Sequence, residues 1–213
     1  LDTPVLLLDL NTLERNILKI STTIIDEAGV GWRPHTKAMK NPDLARLCLA
    51  AGAHGVTCAK LSEAEVMADG GITDILVANE VVGMNKISRL VDLCRKADIM
   101  VCVDDENNIK QIDKAASVAG VRPRVLIEVD VGMGRAGVKP GQPVVDLAKE
   151  ITDAASVELV GLQTWESHTL SIADESEKKR QIISALSLFT DSADQVRKAG
   201  IPLEIISCGG TGT

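Results

Sequence analysis

Short apolar runs alternate with longer amphipathic stretches along most of the chain. From Gly31 onward the runs are rich in Val and Ile, and the stretch after each run has apolar positions at helical spacing. This pattern predicts strands at residues 32–37, 55–59, 74–79, 99–104, 124–131, 159–165 and 203–208. It predicts helices between them at residues 42–52, 62–70, 84–96, 105–119, 142–154 and 175–199, with Gly120 where a C-terminal cap is expected.

The residues before Gly31 form a leading unit. Residues 5–10 are apolar and β-rich, which predicts a strand, and residues 11–27 have the spacing of an amphipathic helix. We therefore expect residues 1–30 to lead, as one strand and one helix, into a domain that spans residues 31–213.

The strand–helix alternation is typical of a parallel sheet covered on both faces. Polar residues recur where successive strands are predicted to end, at Lys37, Asn79, Asp104, Asp130 and Gln163. An eightfold barrel places its active-site residues at those ends, whereas an open doubly wound sheet concentrates them at one switch point. The pattern therefore favours an α/β fold of the TIM-type (β/α)8 class, present as about seven strand–helix units.

Seven strands do not close a barrel. The sequence also begins with Leu1 rather than Met and stops in a glycine-rich run. Together these features indicate a piece of a longer polypeptide whose barrel is incomplete at the C-terminus.

Composition narrows the class of partner. The 213 residues carry a net charge of −7 with scattered basic residues, which argues against nucleic acid or an anionic membrane. Five cysteines lie far apart with no Cys-x-x-Cys pair, a pattern typical of reduced thiols in a cytoplasmic protein rather than of disulfides or a zinc site. No signal peptide and no apolar run of transmembrane length is visible.

The first candidate for chemistry is the segment at residues 31–40. Alternation along the predicted strand places Arg33, His35 and Lys37 on one face. If the strand is buried on both sides, three ionisable groups point into one interior, which structure alone seldom accepts. The alternative is a solvent-facing edge strand. Asn41 and Pro42 then provide the N-cap and first position of the next helix.

The second candidate is the stretch at residues 125–135. Glu128 and Asp130 share one face of the predicted strand and are expected to point into the barrel near Lys37, with Arg135 following a double-glycine turn. A salt bridge between Arg135 and one of the carboxylates, serving only to brace the loop, is the alternative.

Two further stretches extend the candidate site. Gln163 and Trp165 share a face at a strand end, where a flat ring could stack on the indole, although a lone Trp is usually part of a core. His168 could equally be a surface histidine. The run at residues 207–213 follows the last predicted strand, and its glycine amides and threonine hydroxyls can hold a phosphate.

A lysine at the end of the first strand and a phosphate loop after the seventh are what pyridoxal phosphate requires. The cofactor binds a lysine as an imine, and burial or neighbouring cations lower the pKa of such an amine. A barrel that binds a sugar phosphate, with Lys37 as an imine-forming aldolase lysine, has the same spacing but no visible chromophore.

Four motifs in this order resemble the D-threonine aldolase and D-serine dehydratase family, including its 3-hydroxy-D-aspartate aldolase branch. The motifs are Leu1-Asp-Thr-Pro4, Arg33-Pro-His-x-Lys37, Glu128-Val-Asp-Val-Gly-Met-Gly-Arg135 and Cys208-Gly-Gly-Thr-Gly-Thr213. These enzymes are related to alanine racemase and have a pyridoxal-phosphate barrel followed by a β-domain.

The resemblance implies a role for each motif. Lys37 would be the Schiff-base lysine and catalytic residue, and Arg135 would contact the phenolic oxygen of the cofactor. Gln163 and Trp165 would lie against the cofactor, with Trp165 at the ring-stacking position. The phosphate would be held by Gly210, Thr211, Gly212 and Thr213.

The sequence also departs from the family pattern. Trp165 stands where Tyr or His is expected, and Met39 replaces a histidine. The family's divalent metal (Mn, Mg or Zn) is bound by the β-domain, so no metal ligand is expected among these residues. The chain contains no tyrosine, so a tyrosine base cannot come from it.

The resemblance implies a lyase that cleaves D-β-hydroxy amino acids to glycine and an aldehyde or glyoxylate, acting as a homodimer. Dehydration of D-serine or 3-hydroxy-D-aspartate is the alternative within the family. A non-catalytic pyridoxal-phosphate carrier is the alternative outside it. Such carriers end with their barrel, whereas this chain stops before its barrel closes.

Overall fold

Six parallel strands form one sheet in the computed structural model, which describes residues 2–213. The strands pair in chain order, so the sheet curls into a half-barrel. Their bounds are β1 Val56–Cys58, β2 Asp74–Glu80, β3 Asp98–Val103, β4 Arg124–Glu128, β5 Glu158–Gln163 and β6 Ile205–Ser207.

Helices precede and separate the strands and cover the outside of the sheet. They are α1 Leu10–Ser21, α2 Pro42–Ala50, α3 Leu61–Asp69, α4 Met84–Leu93, α5 Glu106–Ala119, α6 Gln142–Asp153 and α7 Glu175–Lys198. A π-helical segment, Thr22–Glu27, extends α1, and a 3₁₀ turn, Ser167–Ser171, follows β5. None of the helices in residues 2–213 has the length and apolar character needed to cross a bilayer.

The sheet has an apolar layer on each face. Alternate strand residues such as Ile75, Val101 and Ile127 pack outward against the helices in the larger core. The residues between them point to the concave side, where Leu76, Met100, Cys102, Leu126 and Val160 form a smaller cluster. Both layers follow from the period of two along each strand, which places successive side chains on opposite faces.

Ion pairs join the amino-terminal ends of the strands. Arg33 makes two hydrogen bonds to Asp74, with Nη1–Oδ1 at 2.6 Å and Nη2–Oδ2 at 3.2 Å. Further along the same end of the sheet, Arg124 at the start of β4 lies 2.7 Å from Asp98 and 3.8 Å from Glu204. The first contact links β2 to the segment before β1. The second connects β3 and β4 to the residues that lead into β6.

The first predicted strand, residues 32–37, is wrong as a strand. The segment runs beside β1 with backbone hydrogen bonds from His54 to Trp32 and from Thr57 to Pro34, but only His35 forms a bridge. Pro34 has no N–H to continue a ladder, and Lys37 lies in the turn that follows. The predicted shared interior for Arg33, His35 and Lys37 is therefore also wrong, because Arg33 pairs at the amino-terminal end.

The predicted strand at residues 5–10 is wrong as well. Residues 5–9 have no regular structure, and α1 begins at Leu10 because the Asp9 side chain accepts a hydrogen bond from the Thr12 amide at 2.8 Å. The caps predicted at Asn41 and Gly120 are confirmed. Asn41 accepts from the amides of the first turn of α2, and Gly120 ends α5 in the left-handed conformation.

Gly161 provides a test of how β6 is attached to the sheet. It pairs with Ile205, and a Cβ at Gly161 would lie 2.0 Å from the Ile205 carbonyl oxygen. We expect Gly161→Ala to lower the free energy of unfolding by about 3 kcal/mol or more, because the backbone of β6 must move. Chemical denaturation measures this change.

Gly120→Ala is the matched control, because it strains a left-handed backbone with nothing within 4 Å of the new methyl group. It should cost only about 1 kcal/mol. Equal losses for the two variants would contradict close packing of β5 against β6.

Candidate active site

Three of the sequence-predicted residues meet at the carboxyl end of the sheet. The Lys37 ammonium lies 4.7 Å from the centroid of the Trp165 ring, and the Arg135 guanidinium carbon lies 5.6 Å from it. Both cations are within the distance at which the electron-rich face of an indole attracts them. Lys37 is exposed and the Arg135 side chain is half-exposed, so these charges are open to a ligand from solvent.

The turn at Thr36 fixes the position of Lys37. Thr36 is fully buried, and its amide and hydroxyl both donate to the Thr57 carbonyl oxygen of β1 at 2.7 and 3.1 Å. His35 Nδ1 accepts a hydrogen bond from the Lys37 amide at 3.2 Å. Burial, followed by the nearby Lys37 charge, lowers the pKa of His35, which favours the neutral ring that this hydrogen bond needs.

Glu128 points into the concave side of the sheet, as predicted. It is buried, accepts a hydrogen bond from Gln163 Nε2 at 3.0 Å, and lies 3.9 Å from Arg135 Nη2. Burial, with a further contribution from the charge of Glu80, raises the pKa of Glu128 to about 7. Gln163 therefore supports Glu128 from the neighbouring strand, and the predicted cofactor contact of Gln163 stays a prediction.

Asp130 does not point toward Lys37, contrary to expectation. Its Oδ1 accepts from the amides of Gly132 and Gly134 at 3.1 and 2.9 Å, and its Oδ2 lies 2.9 Å from Lys139 Nζ. Burial opposes ionisation, but hydrogen bonds, the first from Gly134, lower the pKa of Asp130 overall. The chain turns back after β4, so Asp130 holds the glycine loop that carries Arg135.

His168 lies against the same glycine loop. A Cβ at Gly132 would be 3.0 Å from His168 Nε2, and the backbone of Gly132 is left-handed, with φ at +132°. His168 Nδ1 is buried without a hydrogen-bond partner in residues 2–213. It is therefore a half-buried packing partner of the loop and not a surface histidine.

The glycine-rich loop after β6 lies beside Trp165. A Cβ at Gly210 would be 2.8 Å from Trp165 Nε1, and one at Gly212 would be 2.6 Å from Leu170 Cδ2. Only glycine allows this approach. The amides of residues 208–212 have no hydrogen-bond partner within the described part of the chain, whereas the Thr213 amide donates to the Gly210 carbonyl oxygen at 3.2 Å.

Two residues near Glu128 were not predicted from the sequence. Glu80 ends β2 and Cys102 lies within β3 at the paired position. Burial, and then Glu128, raise the pKa of the Cys102 thiol well above its usual range, and burial raises that of Glu80. Strict alternation along β3 from Met100 would have placed Cys102 on the concave side, but its apolar neighbours pointed only to a core.

No three His, Cys, Asp or Glu side chains lie close enough to share a metal ion in residues 2–213. The five cysteines are all free thiols, as their spacing predicted. The site formed by the described residues is therefore one of cations, amides and an indole around a buried carboxyl group.

The model for the N-terminal domain of alanine racemase matches residues 8–213. The chain belongs to this family. A D-threonine aldolase from Arthrobacter sp. is 40% identical over the whole chain, and a 3-hydroxy-D-aspartate aldolase from Paracoccus denitrificans (strain Pd 1222) is 36% identical. The chain spans 56% and 55% of their lengths, a little more than half of each.

A solved structure is similar over the same part of the chain. The D-threonine aldolase from Filomicrobium marinum superposes with a TM-score of 0.95 at 38% identity, covering 99% of this chain and 57% of that one. The family and the half-barrel are thus established, whereas the roles of the individual site residues stay predictions.

Glu128 gives the site a measurable response to pH. Its pKa is about 7 in the folded chain and 4.5 when exposed, so the folded state binds an extra proton between these values. The free energy of unfolding should therefore fall as the pH rises from 4.5 to 7 and stay low above 7. The loss is on the order of 3 kcal/mol.

Glu128→Gln should remove this loss, so that the variant gains stability relative to the unchanged protein at pH 8 but not at pH 4. Urea titrations at both pH values measure the difference. Glu150→Gln, on the exposed face of α6, is the control and should show no such dependence. An unchanged pH profile in Glu128→Gln would contradict the buried, proton-binding state of Glu128.

Proposed function

We propose that this chain is the cofactor-binding barrel of a pyridoxal-phosphate-dependent lyase that acts on D-β-hydroxy amino acids. One observation carries the proposal. The Lys37 amine lies over the Trp165 ring, and the edge of that ring faces the glycine loop whose amides lack partners among the described residues. An amine, a flat aromatic surface and a set of amide donors are the three features that a phosphorylated aromatic aldehyde requires.

The residues present fit that cofactor. Trp165 Nε1 is a buried donor without a partner in residues 2–213, and Gly210 packs so closely against it that a Cβ would clash at 2.8 Å. Lys37 would hold the aldehyde carbon, Trp165 the ring, and residues 210–213 the phosphate. When bound, pyridoxal phosphate supplies an electron sink for bond cleavage at the substrate α-carbon.

The chain's own residues would orient the groups that bind the cofactor and balance the charge on it. His35 accepts from the Lys37 amide and so fixes the turn from which the amine projects. Arg135 would place a fixed positive charge near the phenolic oxygen, with Glu128 behind it at 3.9 Å. Asp130 would keep Arg135 in place by binding the glycine loop.

Retro-aldol cleavage to glycine and an aldehyde or glyoxylate is the reaction we favour, because the relatives at 40% and 36% identity are aldolases. Dehydration would give ammonia and a keto acid from the same substrates. The complete natural protein should release glycine and acetaldehyde from D-threonine. Release of 2-oxobutanoate and ammonia would favour the dehydratase. If neither set of products forms, the lyase assignment is overturned.

We propose the remaining properties from the family resemblance. A divalent metal would take its ligands from outside the described residues, since no ligand set is found in them. The protein would act as a homodimer on a small D-amino acid in the cytoplasm, where the free state of all five cysteines would be maintained.

The assignment of Lys37 can be tested on the purified chain. Incubation with pyridoxal phosphate should give a yellow protein, and borohydride reduction should fix one pyridoxyl group on Lys37. The reason is that Lys37 lies over Trp165, whereas neither Lys40 nor Lys60 makes such a contact within the described residues, and Lys60 stands at the N-cap position of α3. Peptide mapping by mass spectrometry locates the label.

Lys40→Ala is the matched control and should leave labelling of Lys37 intact, whereas Lys37→Ala should abolish it. A label on Lys40 or Lys60 in the unchanged protein would contradict the assignment of Lys37 as the imine-forming residue. A colourless protein with no label would favour the sugar-phosphate barrel instead.

A further inference from the structure

The indole N–H of Trp165 is a polar group whose role is not explained by ring stacking. Nε1 is buried and has no hydrogen-bond partner in residues 2–213, although the ring as a whole is only partly buried. Buried polar atoms are nearly always hydrogen-bonded in folded proteins, because an unpaired donor loses the hydrogen bonds it would make to water. This donor therefore points to an acceptor supplied by a ligand.

The orientation of the Trp165 ring indicates which part of the ligand would accept this hydrogen bond. The face of the indole is covered by the Lys37 ammonium at 4.7 Å, and its Nε1 edge is directed at Gly210. Gly210 belongs to the loop at residues 208–212, whose amides have no hydrogen-bond partner within the described residues. The face and the edge of Trp165 therefore serve two different groups, and the edge belongs with the glycine loop.

The chemistry of the edge is that of an anion site. An indole N–H only donates, so it can pair with an acceptor and never with a donor. Lys37 and Arg135 add two positive charges over the same ring, whereas the buried Glu166 carboxylate acts toward Cys208 and contributes the opposing charge. Two cations, an indole donor and several free amides outweigh one carboxylate, so the site favours an acceptor-only, negatively charged group.

We propose that Trp165 Nε1–H donates directly to the phosphate of the cofactor, so that Trp165 is an anion ligand through its edge in addition to a surface for the ring. This inference rests on the proposed function for the identity of the ligand. It assigns Trp165 to selection of the phosphorylated over the unphosphorylated aldehyde, a task that a stacking residue does not perform.

The chain contains two tryptophans, so the indole N–H of Trp165 can be observed separately by NMR. Protein labelled with ¹⁵N in its indole rings should give two N–H resonances, one from Trp165 and one from Trp32, which is buried in the separate cluster beneath α1 and α2. Trp165→Phe identifies the first resonance by removing it. If that variant does not fold, Trp32→Phe identifies the second instead.

Titration with inorganic phosphate, pyridoxal and pyridoxal phosphate separates the two roles of Trp165. We expect the Trp165 resonance to move downfield with phosphate and with pyridoxal phosphate, and to move much less with pyridoxal. The Trp32 resonance should stay in place throughout. A response of Trp165 to pyridoxal equal to that to pyridoxal phosphate, with none to inorganic phosphate, would overturn the proposal and leave only stacking.

Binding constants give a second readout. Trp165→Phe keeps an aromatic face and loses the donor, so its preference for pyridoxal phosphate over pyridoxal should fall roughly tenfold, or about 1.4 kcal/mol. An unchanged preference would contradict the inference.

Failure of the proposed function shows differently. In that case no pyridoxyl label reaches Lys37, while a Trp165 resonance that still moves with inorganic phosphate supports the anion site. If the Trp165 resonance does not move with inorganic phosphate, the anion site is overturned.

Discussion

The continuous parallel ladder from β1 to β6 is the constraint on which the rest of the structure depends. Because every strand runs in the same direction, all six carboxyl ends lie at one edge, and residues distant in sequence meet there. Glu128 and Gln163 are neighbours only because β4 pairs with β5 in a register that places them side by side. The position of the glycine loop depends in turn on β6, which can pair closely with β5 because residue 161 is glycine.

The mouth of the half-barrel is organised around one indole. Trp165 contacts a cation from the turn after residue 36, a cation from the loop after β4, and the glycine loop after β6. Below it, Glu128 joins Arg135 to Gln163 and Cys102, so that a buried carboxyl group lies beneath the exposed charges. The site thus has a charged, open upper part and a proton-binding lower part.

Sequence reasoning was most successful where a local rule and the tertiary environment agree. Val- and Ile-rich runs between helices predicted all six of the paired strands and the parallel class, and Asn41 and Gly120 predicted helix ends because capping is a local interaction. Residues 5–10 were mistaken for a strand because β-propensity says nothing about whether a partner strand exists.

The site shows the same division between local and tertiary information. The grouping of Lys37, Arg135, Trp165 and Gly210 could be predicted because glycines and isolated charges at strand ends stand out in the sequence. Asp130 was misplaced because alternation fails once the chain leaves β4, and Glu80 and Cys102 were overlooked because only pairing across strands brings them to Glu128. Burial of Glu128, and hence its proton affinity, is a property of the assembled sheet.

The ion pairs at the amino-terminal ends of the strands lead to a different consequence. Arg33 with Asp74, and Arg124 with Asp98 and Glu204, use none of the residues at the mouth. The contacts that hold the strand starts together are therefore separate from the loops that carry Lys37, Arg135 and Gly210. Loops exchanged between relatives of this half-barrel would change the charged and polar groups at its mouth while the base of the sheet stays intact, so the domain is suited to chimeras built one loop at a time.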